Sequence, residues 1–223
     1  MVIRELRLIT QNVPEMRDFY AGLMQMEELG ITKDRLTLQA GNSVLTFLGG
    51  APSTYHFAFN IPLGTVRAAA DWLESKGIPL LPLDGDRIIP FPNWEAEAVY
   101  FHDPAGNIVE FIERRRLQIP ARASFGAESI VEISEMGVPT LTQSATRQQL
   151  EHELGLAPFW YRNEEFAAMG DEHGLFIVVD AALKRWIPTM VEAVPTDFEA
   201  LVEVAGNEWN VRWQQGRLHL NRQ

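Results

Sequence analysis

The chain has 223 residues, 46% of them hydrophobic, a formal net charge of -11 and no cysteine. That length and apolar content suffice to bury a sizeable core in one large or two smaller domains. The acidic balance argues against a nucleic-acid surface, and the lack of cysteine excludes disulfides, thiolate metal ligands and a cysteine nucleophile.

No apolar run approaches the roughly 18 residues of a membrane span. The opening MVIRELRLIT carries no signal-peptide core, so the expected compartment is the cytoplasm. Residues 3–9 alternate apolar and polar side chains, the mark of a half-buried strand. Residues 13–24 predict a helix, with Asn12 as N-cap, Pro14 in the first turn and Glu15 three positions after the cap. Strands are expected at 27–32, 35–39 and 43–48. The order then recurs: a strand at 55–61, a helix at 65–76 capped by Gly77, and strands at 80–83, 98–101 and 107–112. The intervening stretch from Asp84 to Glu97, rich in Pro and aromatic residues, predicts a lid or rim loop. A weaker third unit follows a boundary at Arg114-Arg115-Arg116: a strand at 130–134, a helix at 144–154, and strands at 159–163, 165–169 and 175–179. Strands at 200–204, 209–214 and 217–220 close the chain as a degraded remnant. The expected domains are 1–116 and 117–223.

Period-two alternation assigns the side chains to faces. Phe57, Phe59, Val109 and Phe111 fall on apolar faces. Glu5 and Arg7, His56 and Asn60, Tyr100 and His102, and Glu110 fall on the opposite ones. A merely solvated face has the same pattern, so alternation leaves open whether this one is functional. Glu5, His56 and Glu110 have the donor types for a divalent ion. Asp103, Pro104, Gly106 and Asn107 read as a tight turn. His152 and His173 read as exposed, and His219 has no assignable partner.

Three segments, in order, carry a resemblance: NVPEMRDFYAGLMQME, YHFAFNI and VYFHDPAGNIVEFIE. Together they resemble the vicinal oxygen chelate superfamily of glyoxalases, bleomycin resistance proteins, fosfomycin-resistance proteins and extradiol dioxygenases, strongly over residues 1–115 and weakly beyond. The resemblance implies an α+β fold of tandem βαβββ modules whose mixed sheets curl into cups. It implies a metal site formed by Glu5, His56 and Glu110, holding Fe, Mn, Ni, Co or Zn. It further implies Tyr100 and His102 as catalytic candidates, although His102 fits a turn role better. Arg7, Asn60, Phe91 and Trp94 are the candidate substrate contacts. Aligning Val138-Pro139 with Val13-Pro14 puts Ile130 at the ligand position of the third unit, so no metal is expected there. The implied function is a divalent-metal-dependent lyase, isomerase or dioxygenase acting on a small oxygenated molecule. The alternative is a metal-free drug-binding protein in which Arg7 pairs with Glu5. The partner is a small-molecule substrate, with no nucleic acid or membrane, and the chain acts as a monomer or homodimer.

Overall fold

A computed structural model describes residues 1–121 and 124–223. The first module is β1 (Val2–Thr10), α1 (Val13–Arg17), β2 (Glu28–Thr32), β3 (Arg35–Ala40) and β4 (Ser43–Gly49). The second is β5 (His56–Ile61), α2 (Val66–Ser75), β6 (Ile89–Phe91), β7 (Ala96–His102) and β8 (Ile108–Arg114). The third is β9 (Glu132–Thr140), α3 (Gln143–Leu154), β10 (Pro158–Arg162), β11 (Phe166–Asp171) and β12 (Gly174–Asp180). A small hairpin, β13 (Arg185–Trp186) and β14 (Val191–Glu192), leads to β15 (Phe198–Val204), β16 (Asn207–Gln214) and β17 (Arg217–Arg222).

Within each module the first strand pairs in parallel with the last: β1 with β4, β5 with β8, β9 with β12. Between modules the pairing is antiparallel, β1 with β15 and β5 with β9. One mixed sheet therefore runs β17-β16-β15-β1-β9-β5-β8-β7-β6, with the remaining module strands branching from β1 and β9. These two pairings, and a shorter one of β1 with β9, join strands from opposite sides of residue 116 within one hydrogen-bonded sheet. Among the described residues no helix is long and apolar enough to cross a membrane.

The main core packs the bulky sheet face, including Phe57, Phe59, Phe101 and Phe111, against residues of the helices such as Tyr20, Ala69, Leu73 and Leu150. Burial of this apolar surface is the principal stabilising contribution. A second, smaller cluster uses Ala58, Tyr100, Ile112, Leu175, Ile177 and Trp186.

Two local expectations change. The predicted helix over 13–24 is α-helical only to Arg17; it continues through Asp18–Leu23 as a wider turn, in which Met24 N–H donates to Phe19 O at 2.8 Å. That turn carries the buried Tyr20, whose hydroxyl donates to Asp103 Oδ2 at 2.8 Å across the core. The expected strand at 80–83 is reduced to isolated bridges at Leu80 and Leu83. Pro79 and Pro82 remove donors there, and the strand forms instead at β6, inside the expected loop.

Gly41 locks the first module onto the third. It adopts φ +61° in the β3–β4 turn, and a Cβ there would lie 2.0 Å from the carbonyl oxygen of Val131. The neighbouring Asn42 N–H donates to that same oxygen at 2.7 Å. Only glycine allows both the backbone angle and this approach.

Candidate metal centre

Strand register builds the site. Across β7, β8, β5 and β9, Tyr100 lies opposite Glu110, Glu110 beside Ala58, and Ala58 opposite Glu135. The small side chain of Ala58 leaves room above it for the two flanking carboxylates to converge. His56, two residues earlier on β5, projects from the same face. Ligand atoms of His56, Glu110 and Glu135 all lie within 4.8 Å of one another, and all three residues are buried.

A bulge in β9 makes this possible. Ala58 pairs with Glu135 and Phe59 with Ile133, so Ser134 is the extra residue. Simple alternation would put Glu132 and Glu135 on opposite faces. With the bulge, both reach the polar face of β5, where Glu132 Oε1 accepts from Asn60 Nδ2 at 3.1 Å. β1 carries the matching irregularity between Ile3 and Glu5.

The imidazole is set up as a ligand. His56 Nδ1 lies 3.2 Å from Ile108 O, which fixes the proton on Nδ1 and leaves the Nε2 lone pair facing Glu110. Burial lowers the His56 pKa to about 4, against the pull of that hydrogen bond, so the ring is neutral near pH 7. Its 3.6 Å separation from Glu110 Oε2 is thus not an ion pair. It is close to the spacing of about 3.4 Å expected for two ligands of one tetrahedrally bound ion.

Burial pushes the Glu110 carboxyl well above its usual range, and the nearby Glu135 carboxylate adds to the effect. The neighbouring Tyr100 hydroxyl opposes the rise. Burial also raises Glu135, although Arg114 offsets part of the rise. Burial, followed by these two carboxylates, keeps the Tyr100 phenol protonated. The donor set of one neutral imidazole and two charge-starved carboxylates fits a divalent cation.

Arg114 anchors the arrangement. Its Nη2 donates to Glu135 Oε1, and its Nε donates to Asn60 Oδ1 at 3.2 Å. Nη1 has no hydrogen-bond partner among the described residues, while the guanidinium carbon lies 5.4 Å from the Trp94 ring centroid and 5.9 Å from that of Phe159. Asn60 is therefore a brace within this network and does not line the cavity. Glu132 continues the network to His173 Nδ1 at 2.8 Å, so His173 has a partner that its turn position did not suggest.

Glu5 lies outside this group, which corrects the expectation that it converges with His56 and Glu110. Its carboxylate accepts a two-pronged pair of hydrogen bonds from Arg7, Nε at 2.9 Å and Nη2 at 2.6 Å, and another from Thr46 at 3.0 Å. Burial would raise Glu5, but these Arg7 bonds and the Arg7 charge hold it below the usual range. Arg7 also contacts Glu199 at 3.4 Å and points to no substrate cavity shared with His56. His102 is exposed, with Nδ1 3.2 Å from Asn107 O, and belongs to the turn.

Glu135 holds the place in β9 that Glu5 holds in β1. β1 and β9 each have nine residues, and Glu5 and Glu135 are both fourth. Matching Thr10 to Thr140, the last residue of each strand, aligns them; matching Val13-Pro14 to Val138-Pro139 does not. The same alignment sets Arg7 against Gly137. A Cβ on Gly137 would lie 2.8 Å from the Trp186 ring and 3.1 Å from His56 O. Trp186 thus settles over the glycine, with its ring 4.9 Å from that of His56.

A cavity of about 320 Å³ opens onto His56, Glu110, Glu135 and Tyr100, with Phe91 and Trp94 in its wall. Sequence reasoning missed Glu135, Arg114 and Trp186.

The His56 environment makes stability depend on pH. The imidazole titrates near 6.5 when unfolded and about 4 when folded, so the unfolded chain takes up the proton first as pH falls. Stability is retained above about pH 6.5 and lost on the way down to about pH 4. In urea unfolding of the ion-free protein, wild type is expected to lose about 3 kcal/mol relative to His56→Gln between pH 7 and pH 4.

No family model matches the chain, and no curated protein matches it. Among solved structures, a putative dioxygenase from Bacillus subtilis superposes on 100% of this chain and 84% of its own, with a TM-score of 0.67 and 16% identity. A lactoylglutathione lyase from Agrobacterium tumefaciens covers 50% of this chain and 92% of its own, with a TM-score of 0.44 and 23% identity. A glyoxalase/bleomycin resistance protein/dioxygenase from Alicyclobacillus acidocaldarius covers 53% and 96%, with a TM-score of 0.42 and 18% identity. The full-length superposition, joined to the modular order of strands and helices, gives this chain an α+β fold like that of the putative dioxygenase.

Proposed function

We propose that the chain is a divalent-metal-dependent enzyme of the glyoxalase/dioxygenase type, acting on a small oxygenated organic molecule. His56, Glu110 and Glu135 would hold the ion. The observation that carries this reading is their convergence at the floor of an aromatic-walled cavity. A divalent ion there supplies Lewis acidity toward neighbouring substrate oxygens. Ile108 O holds the His56 ring in the tautomer that presents Nε2. Arg114 takes one oxygen of Glu135 and orients the other. Tyr100, kept protonated by its surroundings, presents a phenol at the cavity wall beside Glu110. Trp94, Trp186 and Phe91 give the cavity an apolar lining.

One observation favours a second reading, a metal-free binding protein. The Arg114 guanidinium already compensates Glu135, and the raised pKa of Glu110 lets it stay neutral. Titration with Mn, Fe, Ni, Co and Zn separates the two readings. Uptake of one ion per chain, lost in His56→Ala, is expected for the enzyme. Refusal of all five ions would leave the binding protein.

A further inference from the structure

We infer that residues 185–196 form a lid on this cavity, latched by Trp186 in a seat that Gly137 provides beside His56. The inference needs the cavity and not the ion, so it holds for either reading of the function.

The segment is tied down at its two ends. Upstream, Ala181 N donates to Thr140 O and Lys184 N to Asp180 O, both at 2.9 Å, in the turn after β12. Downstream, the Asp197 carbonyl accepts from the Tyr55 hydroxyl at 2.7 Å, and Asp197 Oδ1 accepts from Gln215 N at 2.8 Å. Between these anchors the bonds close inward. β13 pairs with β14 as a separate two-stranded sheet, Met190 N donates to Trp186 O at 2.7 Å, and Arg185 pairs with Glu192 at 3.2 Å. Among the described residues, no hydrogen bond or ion pair joins residues 185–196 to the rest of the chain.

Packing holds the segment instead. Met190, Val191 and Val194 are exposed, whereas Trp186 and Ala193 join the smaller core cluster. Trp186 is the one large buried side chain of the segment. Its ring lies 4.9 Å from that of His56, and Trp186 and Ile187 both line the cavity. The seat depends on glycine: a Cβ on Gly137 would lie 2.8 Å from the indole, so a side chain there displaces the ring. A flap anchored at both ends, with no hydrogen bond to the body and one aromatic latch, opens at a lower cost than the sheet unfolds. Opening carries the indole off His56 and clears the way to the cavity floor.

The test reads access and position without turnover. Diethyl pyrocarbonate modifies His56 in the ion-free protein, and peptide mass spectrometry follows the rate. In wild type the rate is expected to stay nearly flat in urea below the unfolding transition, since a local opening exposes little surface. Trp186→Ala, which lacks the latch, and Gly137→Ala, which fills the seat, should each react about tenfold faster or more. The chain has no cysteine, so spin labels at Gln148→Cys on α3 and Val191→Cys on the lid report position cleanly. A single narrow distance is expected in the otherwise wild-type chain, and a broadened distribution in both variants. A wild-type rate that climbs with urea as steeply as global unfolding, variant rates equal to wild type, or a label distance unmoved by Trp186→Ala would overturn the inference. Trp186→Ala leaves β9 untouched and decides the matter even if Gly137→Ala fails to fold. No ion enters the test, so failure of the metal reading leaves its outcome unaffected.

Discussion

Glu135→Ala is expected to weaken zinc binding about a hundredfold or more, while Glu5→Ala leaves it unchanged. The asymmetry follows from the two environments. Glu135 shares its space with His56 and Glu110, and among the described residues no further histidine or carboxylate joins that cluster. Glu5 is held by both prongs of Arg7, with Thr46 as a third donor, and sits on a different strand pairing. Calorimetric zinc titration of the two variants beside wild type provides the check. Loss of binding in Glu5→Ala and retention in Glu135→Ala would reverse the assignment. Ion uptake should also release protons, since Glu110 starts above its usual range and must ionise to bind. Affinity therefore rises with pH, and the binding enthalpy should vary with the ionisation enthalpy of the buffer.

The second large effect concerns Arg114. Its side chain is fully buried, and it is the cation paired with Glu135 at the floor of the site. Removing one member of a buried pair leaves an uncompensated charge, a loss of about 3–5 kcal/mol. Arg114→Leu is expected to destabilise the ion-free protein by that amount at pH 8. The loss should shrink toward pH 5, because Glu135, with its folded pKa raised further, meets the missing charge by taking up a proton. Zinc should restore part of the stability by supplying the positive charge. Urea unfolding at both pH values, with and without zinc, measures each part. Arg114→Leu combined with Glu135→Leu removes both charges and should recover much of the loss; a simple packing defect at Arg114 would show no such recovery.

Much of the fold could be read from the sequence, because each module announces itself with a period-two strand, a capped helix and a Gly-marked return. His56 and Glu110 were readable for the same reason. The Asp103-to-Asn107 turn fixes the register of β8, and Asn107 Oδ1 accepts from Tyr55 N at 2.8 Å, tying that turn to the start of β5. Glu135 was hidden by two local features. Pro139 and Gly137 suggest a strand that ends early, and the bulge at Ser134 breaks the alternation that assigns faces. In fact β9 runs through both residues, since its pairing with β5 stops at Met136 and Pro139 owes no hydrogen bond on that side. In the sequence Arg114 is the first of three arginines that mark a boundary. Only the tertiary fold, which closes Trp94 and Phe159 over it, shows that it is buried. Trp186 lies in a short hairpin with no periodic signal, and nothing local marks its contact with His56.

The pairing of Arg7 with Glu5 gives the two ends of the molecule different dependencies. Where β9 has Gly137, β1 supplies its own tethered positive charge, which cannot be chelated, exchanged or starved. The half built on β1 and β15 should therefore keep its shape whatever the cell's supply of divalent ions, leaving the other half to respond to that supply.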